Sequence, residues 1–295
     1  MNPRILLKVK GASKSDVEHI LQVITECYTN LPHNLDAVEV NIFQNTSDAL
    51  SFLSAQSKAA GVKSSSFDED FYAYHHAWLG LPSITLSVEK LNTLAPELAD
   101  ACIRHEVAHS VLHGEIRYYV IPIPPPYRRL KEVCGLSDEY LLDLTYLTAV
   151  AVKDYEATKL LYSHNYRVDQ LQYAEHLLEE GFETTLWKIV EHHPRAKALF
   201  LTSSLKVPFC IKPLLDQQNI HLQKKLESYL QPLGEYQQLL MEVVDESAEI
   251  FTDDTYSNIQ TAAEIHCKKI LKRILTQPTQ RNNSSRTLNL YKINS

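Results

Sequence analysis

The sequence predicts an α+β protein, with a small mixed sheet near the N-terminus and an all-helical C-terminal region. Three observations carry that expectation. Apolar residues alternate with polar ones, at the period of a strand, in short runs before residue 90. After residue 137 they recur at helical spacing over long stretches. Glycine is scarce, seven in 295 residues, which leaves little material for tight hairpins.

The bulk properties narrow the class. Apolar content of 44% and charged content of 22% suit a globular domain. A net charge of -7 argues against a nucleic-acid partner. No run approaches 18 apolar residues, so no membrane span is expected. The first ten residues hold too short an apolar run for a secretory signal. Five widely spaced cysteines without a C-x-x-C pair point to a reducing compartment, and a cytoplasmic location is expected.

In chain order, residues 5–9 read as a strand, and Ser15 or Asp16 starts a helix that ends before Pro32. Val38, Val40 and Ile42 alternate as a half-buried strand. Ser47 or Asp48 starts a second helix, closing near Gly61. Residues 63–70 are polar and serine-rich, and read as a loop. Residues 71–78 form an aromatic strand, and residues 83–89, with Ile84, Leu86 and Val88, a further one. His75 and His76 are neighbours on a strand, so they face opposite sides and only one could face a metal.

The next helix is the informative one. Pro96 suits its first turn, with Glu97 and Asp100 near the positive end of the dipole, and Gly114 suits its stop. It carries His105-Glu106-Val107-Ala108-His109, the pattern H-E-x-x-H. Residues four apart lie one turn apart on one face. Leu98, Cys102, His105, His109 and Leu112 therefore share a face that ought to be buried. Two imidazoles so placed can bind one zinc ion, and Glu106 can serve as general base toward a water on it. His113 continues the row, but three histidines would span roughly 12 Å at 1.5 Å per residue, too long for one ion. It reads as a packed or supporting group.

A run of three prolines within residues 118–127 reads as a stiff extended connector. A long helix then starts near Ser137 and extends past Leu161. It offers two acids as a third ligand, Asp154 and Glu156. Leu147, Val150, Ala151, Ala157 and Leu161 surround Asp154, whereas the stripe around Glu156 includes Lys153 and Lys159. A carboxylate in an apolar stripe is costly unless paired or metal-bound, so Asp154 is preferred, with Glu156 as the alternative. Further helical patterns follow at 168–180, 182–192, 212–230, 233–251 and 256–275, with Pro194, Pro208, Pro213 and Pro232 as breaks.

With these residues in view, the stretch from 83 to 161 resembles the gluzincin-type zinc metallopeptidases, particularly the minimal cytosolic ones. In that family an edge strand precedes the H-E-x-x-H helix, and an acid on a later helix, within E-x-x-A-D or E-x-x-A-N, completes the metal site. Asp154-Tyr155-Glu156-Ala157-Thr158 is similar to that pattern, with Thr158 where an acid or amide is usual. The resemblance implies a zincin-like packing of the sheet on the motif helix and the ligand-bearing helix. It implies Zn2+ on His105, His109 and Asp154, Glu106 as the catalytic base, and peptide or protein substrates. It also implies that Ser83, Thr85 and Ser87 lie along the substrate, which would pair with residues 83–89 by strand addition. Tyr119, Tyr155 and His164 are the candidate donors to the oxyanion. The expected division is a zincin-like domain over 1–165, a helical region over 166–276 and a flexible tail over 277–295. The alternative is an inactive zincin-like helical protein, holding a structural metal or none and binding a protein partner through its C-terminal helices.

Overall fold

The computed structural model describes residues 2–62, 71–215 and 219–276. The loop expected at 63–70 and the tail expected at 277–295 lie outside the described residues. The chain divides into two compact units, one built from Met1–Val120 and Ala157–Tyr173, the other from Ile121–Glu156 and the helices after Ala174.

The first unit holds a four-stranded sheet. Its strands are β1 (Arg4–Lys10), β2 (Ala37–Phe43), β3 (Ala73–His76) and β4 (Ser83–Ser87), in the order β1-β2-β4-β3. The β1–β2 and β2–β4 pairs are parallel, and β3 runs antiparallel to β4. The interior strands β2 and β4 are almost wholly buried, as strands covered on both faces must be. Helices α1 (Lys14–Asn30), α2 (Thr46–Ala59), the one-turn α3 (Val88–Leu91) and α4 (Pro96–His113) complete this part of the chain.

The alternation of strand side chains sorts the helices. Val38, Val40, Ile42, Ile84 and Leu86 enter one core with Ile24 and Tyr28 of α1 and Ile103 and Val107 of α4. On the other face Phe43 packs with Ala49 and Leu53 of α2. Helices α1 and α4 are joined by polar contacts at both ends. The buried Tyr28 hydroxyl and Ser110 Oγ lie 2.6 Å apart, and His19 Nε2 and Asp100 Oδ1 2.8 Å apart. Arg104 pairs with Asp169 and Glu26.

Residues 88 and 89 are helical, where the sequence suggested that the strand continued. Ser87 caps that turn, its hydroxyl accepting from the Lys90 N–H, and Glu89 within it reaches α2. Its carboxylate accepts from the Thr46 backbone N–H at 2.8 Å and from the Thr46 hydroxyl at 3.0 Å. Asn45, the cap residue of α2, makes no side-chain cap bond, so Glu89 serves the orphan donor from another element. Those bonds hold the Glu89 carboxyl below the usual carboxylate range.

In the second unit, α5 (Pro125–Cys134) replaces the end of the expected proline connector. Only Pro124 is extended, at ψ 144°. Pro125 and Pro126 occupy the first helical turn, where no backbone N–H is required and the ring presets φ. The same chemistry accounts for α9 (Pro194–Ser203), whose opening proline reads from sequence as a break. Helix α6 (Asp138–Ser163) runs through residues of both units. Around it in sequence lie α7 (Arg167–Glu179), α8 (Thr184–Val190), α10 (Lys206–Ile211), α11 (Ile220–Leu230) and α12 (Glu235–Ile250). The chain then adds α13 (Thr255–His266), a π-helical turn (Cys267–Leu271) and α14 (Lys272–Leu275). The single helix expected over 212–230 is thus shorter, with a 3-10 turn at Lys212–Leu214. No described helix is long and apolar enough to cross a membrane, and none of the five cysteines is in a disulfide.

Gly114 stops α4 for a reason other than a left-handed backbone, since its φ is -73°. A Cβ there would lie 2.3 Å from the Ser110 carbonyl oxygen and 3.3 Å from Leu35 and Pro82. Gly114→Ala should therefore destabilise the fold by about 1–3 kcal/mol, as overpacking does, measured by chemical denaturation.

Candidate metal centre

Helix α4 begins with Pro96 in its first turn and no side-chain cap on Ala95. Its stability comes from the faces it buries. Ile103 and Val107 enter the sheet core, and His105 and His109 follow on the adjoining face. His105 is buried and His109 partly so. Their Nε2 atoms point at each other, 3.1 Å apart. Two nitrogens bound to one tetrahedral zinc at 2.0–2.1 Å stand roughly 3.3 Å apart by simple trigonometry. The pair is thus already close to the spacing of two ligands on one ion.

Asp154 supplies the third group. It lies one turn before Thr158 and two before Leu161 on α6, on the stripe whose Ala157 and Leu161 belong to the first unit's core. The side chain is 7% exposed. His105, His109 and Asp154 each offer a ligand atom, and these atoms all lie within 4.8 Å of one another. Two imidazoles and one carboxylate are donors that zinc accepts, with a fourth position left for water. The donor set therefore fits a catalytic type of metal site, and a buried carboxylate beside two imidazoles gains most from a cation.

Glu156, the alternative ligand, is engaged elsewhere. Its carboxylate accepts from Thr255 Oγ1 at 2.9 Å and Asn258 Nδ2 at 2.6 Å. Burial raises its pKa against the pull of those two bonds. The about 200° of helix rotation between positions 154 and 156 separates the two roles.

The residues expected to line the substrate lie on the wrong face. Strand β4 is interior, bonded to β2 on one side and β3 on the other, so its backbone cannot accept another strand. Ser83, Thr85 and Ser87 are buried and alternate with Ile84 and Leu86, which face the α4 core. Asn41 Nδ2 donates to Ser83 Oγ at 2.9 Å, and Ser87 Oγ meets Thr46 Oγ1 at 2.9 Å. Ser83 thus bonds within the sheet, and Ser87 ties it to α2. The edge strand beside α4 is β3 instead.

Strand β3 brings a residue to the site that the sequence left undecided. His75 lies opposite Ile84 in the sheet, hence on the α4 face, and its ring lies parallel to that of His109 with centroids 6.4 Å apart. The Tyr119 hydroxyl is 2.9 Å from His75 Nδ1. His76 faces the other way and stacks on Trp78 at 4.1 Å, where burial lowers its pKa to about 4. Of the other donor candidates, the Tyr155 ring packs on Phe209 and Phe251. His164 Nδ1 bonds the Leu160 carbonyl oxygen at 2.8 Å. Tyr119 is the candidate whose contacts lead to the histidine pair.

His113, the third histidine of the row, is fully buried and its Nδ1 lies 3.3 Å from His109 Nδ1. The Tyr118 ring meets it edge-on at 5.3 Å. Tyr173 covers His105 from α7, with ring centroids 4.8 Å apart. Glu106 is partly exposed beside His105 on α4.

No model of a known family matches the chain, and neither does any curated protein or solved structure. The geometry of α4 and α6 has to speak for the site alone.

It makes a sharp distinction between the two acids. Asp154→Asn should lower bound zinc per chain well below one, measured by elemental analysis after dialysis, because the buried anionic ligand is lost. Glu156→Gln should leave metal content unchanged.

Proposed function

We propose that the protein is a zinc-dependent peptidase of zincin-like architecture, with the metal on His105, His109 and Asp154. The observation that carries this reading is the convergence of two H-E-x-x-H imidazoles with one buried carboxylate from a second helix. Zinc held there would supply a Lewis acid and lower the pKa of a water in its open position.

The chain's own residues then divide the work. Glu106 sits next to His105, about 100° around the helix, and is less buried than its neighbour. From there it takes a proton as general base, and returns it to the leaving amine. Tyr119, held at 2.9 Å from His75 Nδ1, donates a hydrogen bond to the developing oxyanion. The edge strand β3 takes over the role first given to β4. An extended peptide adding to β3 runs past the α4 face, where His75 already stands. The helices after Ala174 carry no chemistry in this reading. The reading also draws on the antiparallel edge strand β3, which lies beside the motif helix α4.

Glu106→Gln tests the role most cleanly, since it keeps the shape and removes the base. Zinc content should stay at the wild-type level, while hydrolysis of a mixed peptide library falls about 100-fold or more. A wild-type protein with bound zinc that cleaves no peptide would favour the non-enzymatic alternative.

A further inference from the structure

We infer that His113 is a positioning residue for His109: a buried imidazole that holds the proton of His109 on Nδ1 and so leaves Nε2 free to bind. The purpose rests on the metal-centre reading above, but the geometry rests on α4 alone. The two ring nitrogens of His109 have different partners. Nε2 faces His105 Nε2 at 3.1 Å, and Nδ1 faces His113 Nδ1 at 3.3 Å. A neutral imidazole has one donor and one acceptor nitrogen. If His109 Nε2 offers its lone pair inward, its proton sits on Nδ1 and needs an acceptor there. His113 Nδ1 is that acceptor when His113 carries its own proton on Nε2.

Three features make His113 suited to the task. It stands four residues beyond His109, which repeats the offset that brings His105 and His109 together. It is fully buried, so water does not easily replace it. The edge of the Tyr118 ring fixes its plane from outside. Metal-bound histidines commonly donate their outer N–H to a carboxylate or carbonyl group. Here Thr158, which has no carboxylate, follows the ligand-bearing stretch of α6, and an imidazole on the motif helix itself takes the outer position. The sequence H-E-x-x-H-x-x-x-H is then one row with two functions. The inner pair binds, and the third histidine orients.

The test uses the full chain. Long-range proton–nitrogen NMR on the metal-free protein should find the His109 proton on Nδ1. His113→Phe keeps the site apolar and filled but removes the acceptor, and should weaken zinc affinity about 10–100-fold, the usual effect of losing an outer partner. His113→Gln restores an acceptor oxygen, and should recover most of that loss. Thermal melts of the metal-free variants report whether they fold, and the Gln variant stands in if the Phe variant does not. A His109 proton on Nε2 in the wild type overturns the inference. So does unchanged zinc affinity in a folded His113→Phe. If the wild type binds no zinc, the functional reading falls, while the NMR result alone decides the role of His113.

Discussion

Two neutral imidazole nitrogens cannot both present lone pairs to each other at 3.1 Å. Either one carries a proton between them, or a cation does the same work from the side. That constraint organises the first unit. The nitrogens meet because α4 is continuous from Pro96 to His113 and because Ile103 and Val107 pack it against the sheet. With that rotation set, His105 and His109 share one side of α4, His75 stands alongside, and His113 closes the row. Desolvating a carboxylate costs several kcal/mol unless a charge or hydrogen bonds compensate it. The nearly buried Asp154 is the part of the arrangement that a cation would stabilise most.

The rotation of α4 is itself held by polar contacts. Arg104 reaches Glu26 of α1, Asp100 one turn back, and Asp169 of α7, and lies over the Tyr166 ring. These charges raise the Arg104 pKa against its burial. The Tyr28–Ser110 contact adds a buried polar link, and burial raises the Tyr28 pKa well above that of a free phenol. A helix clamped on both neighbours keeps His105 and His109 in a fixed place, which is what a preorganised site would require.

Much of this was legible in the sequence. H-E-x-x-H is a local pattern, and helical geometry converts its spacing directly into a shared face. The choice of Asp154 over Glu156 followed from the apolar stripe on α6, and the structure gathers Asp154 with the histidines while Glu156 bonds Thr255 and Asn258. What the sequence could not carry was pairing between distant segments. Alternation in residues 83–89 says that one face is buried, but not which neighbours flank the strand. The interior place of β4 depends on β2 and β3, and the bonds of Glu89 on Thr46. The prolines failed in a different way. Pro125 and Pro194 look like breaks in composition, whereas each begins a helix, and only the residues after them reveal it.

The contacts of His75 and Tyr119 belong to that same non-local class. Nothing within either neighbourhood marks them, since His75 adjoins an equivalent His76 in sequence and Tyr119 sits in an aromatic pair. Strand alternation alone divides His75 from His76, and the sheet register then decides which faces α4. The signal that could have found them is the combination of an edge strand and a histidine at the register position opposite an α4-facing residue.

The proposed site would hold one metal ion on His105, His109 and Asp154. Anomalous diffraction from crystals grown with zinc, recorded on both sides of the zinc edge, tests it most directly. A single strong peak is expected about 2.0–2.1 Å from Nε2 of His105 and His109 and about 2.0–2.2 Å from an Asp154 oxygen, with one position open. No peak near the two imidazoles in crystals at saturating zinc would overturn that site.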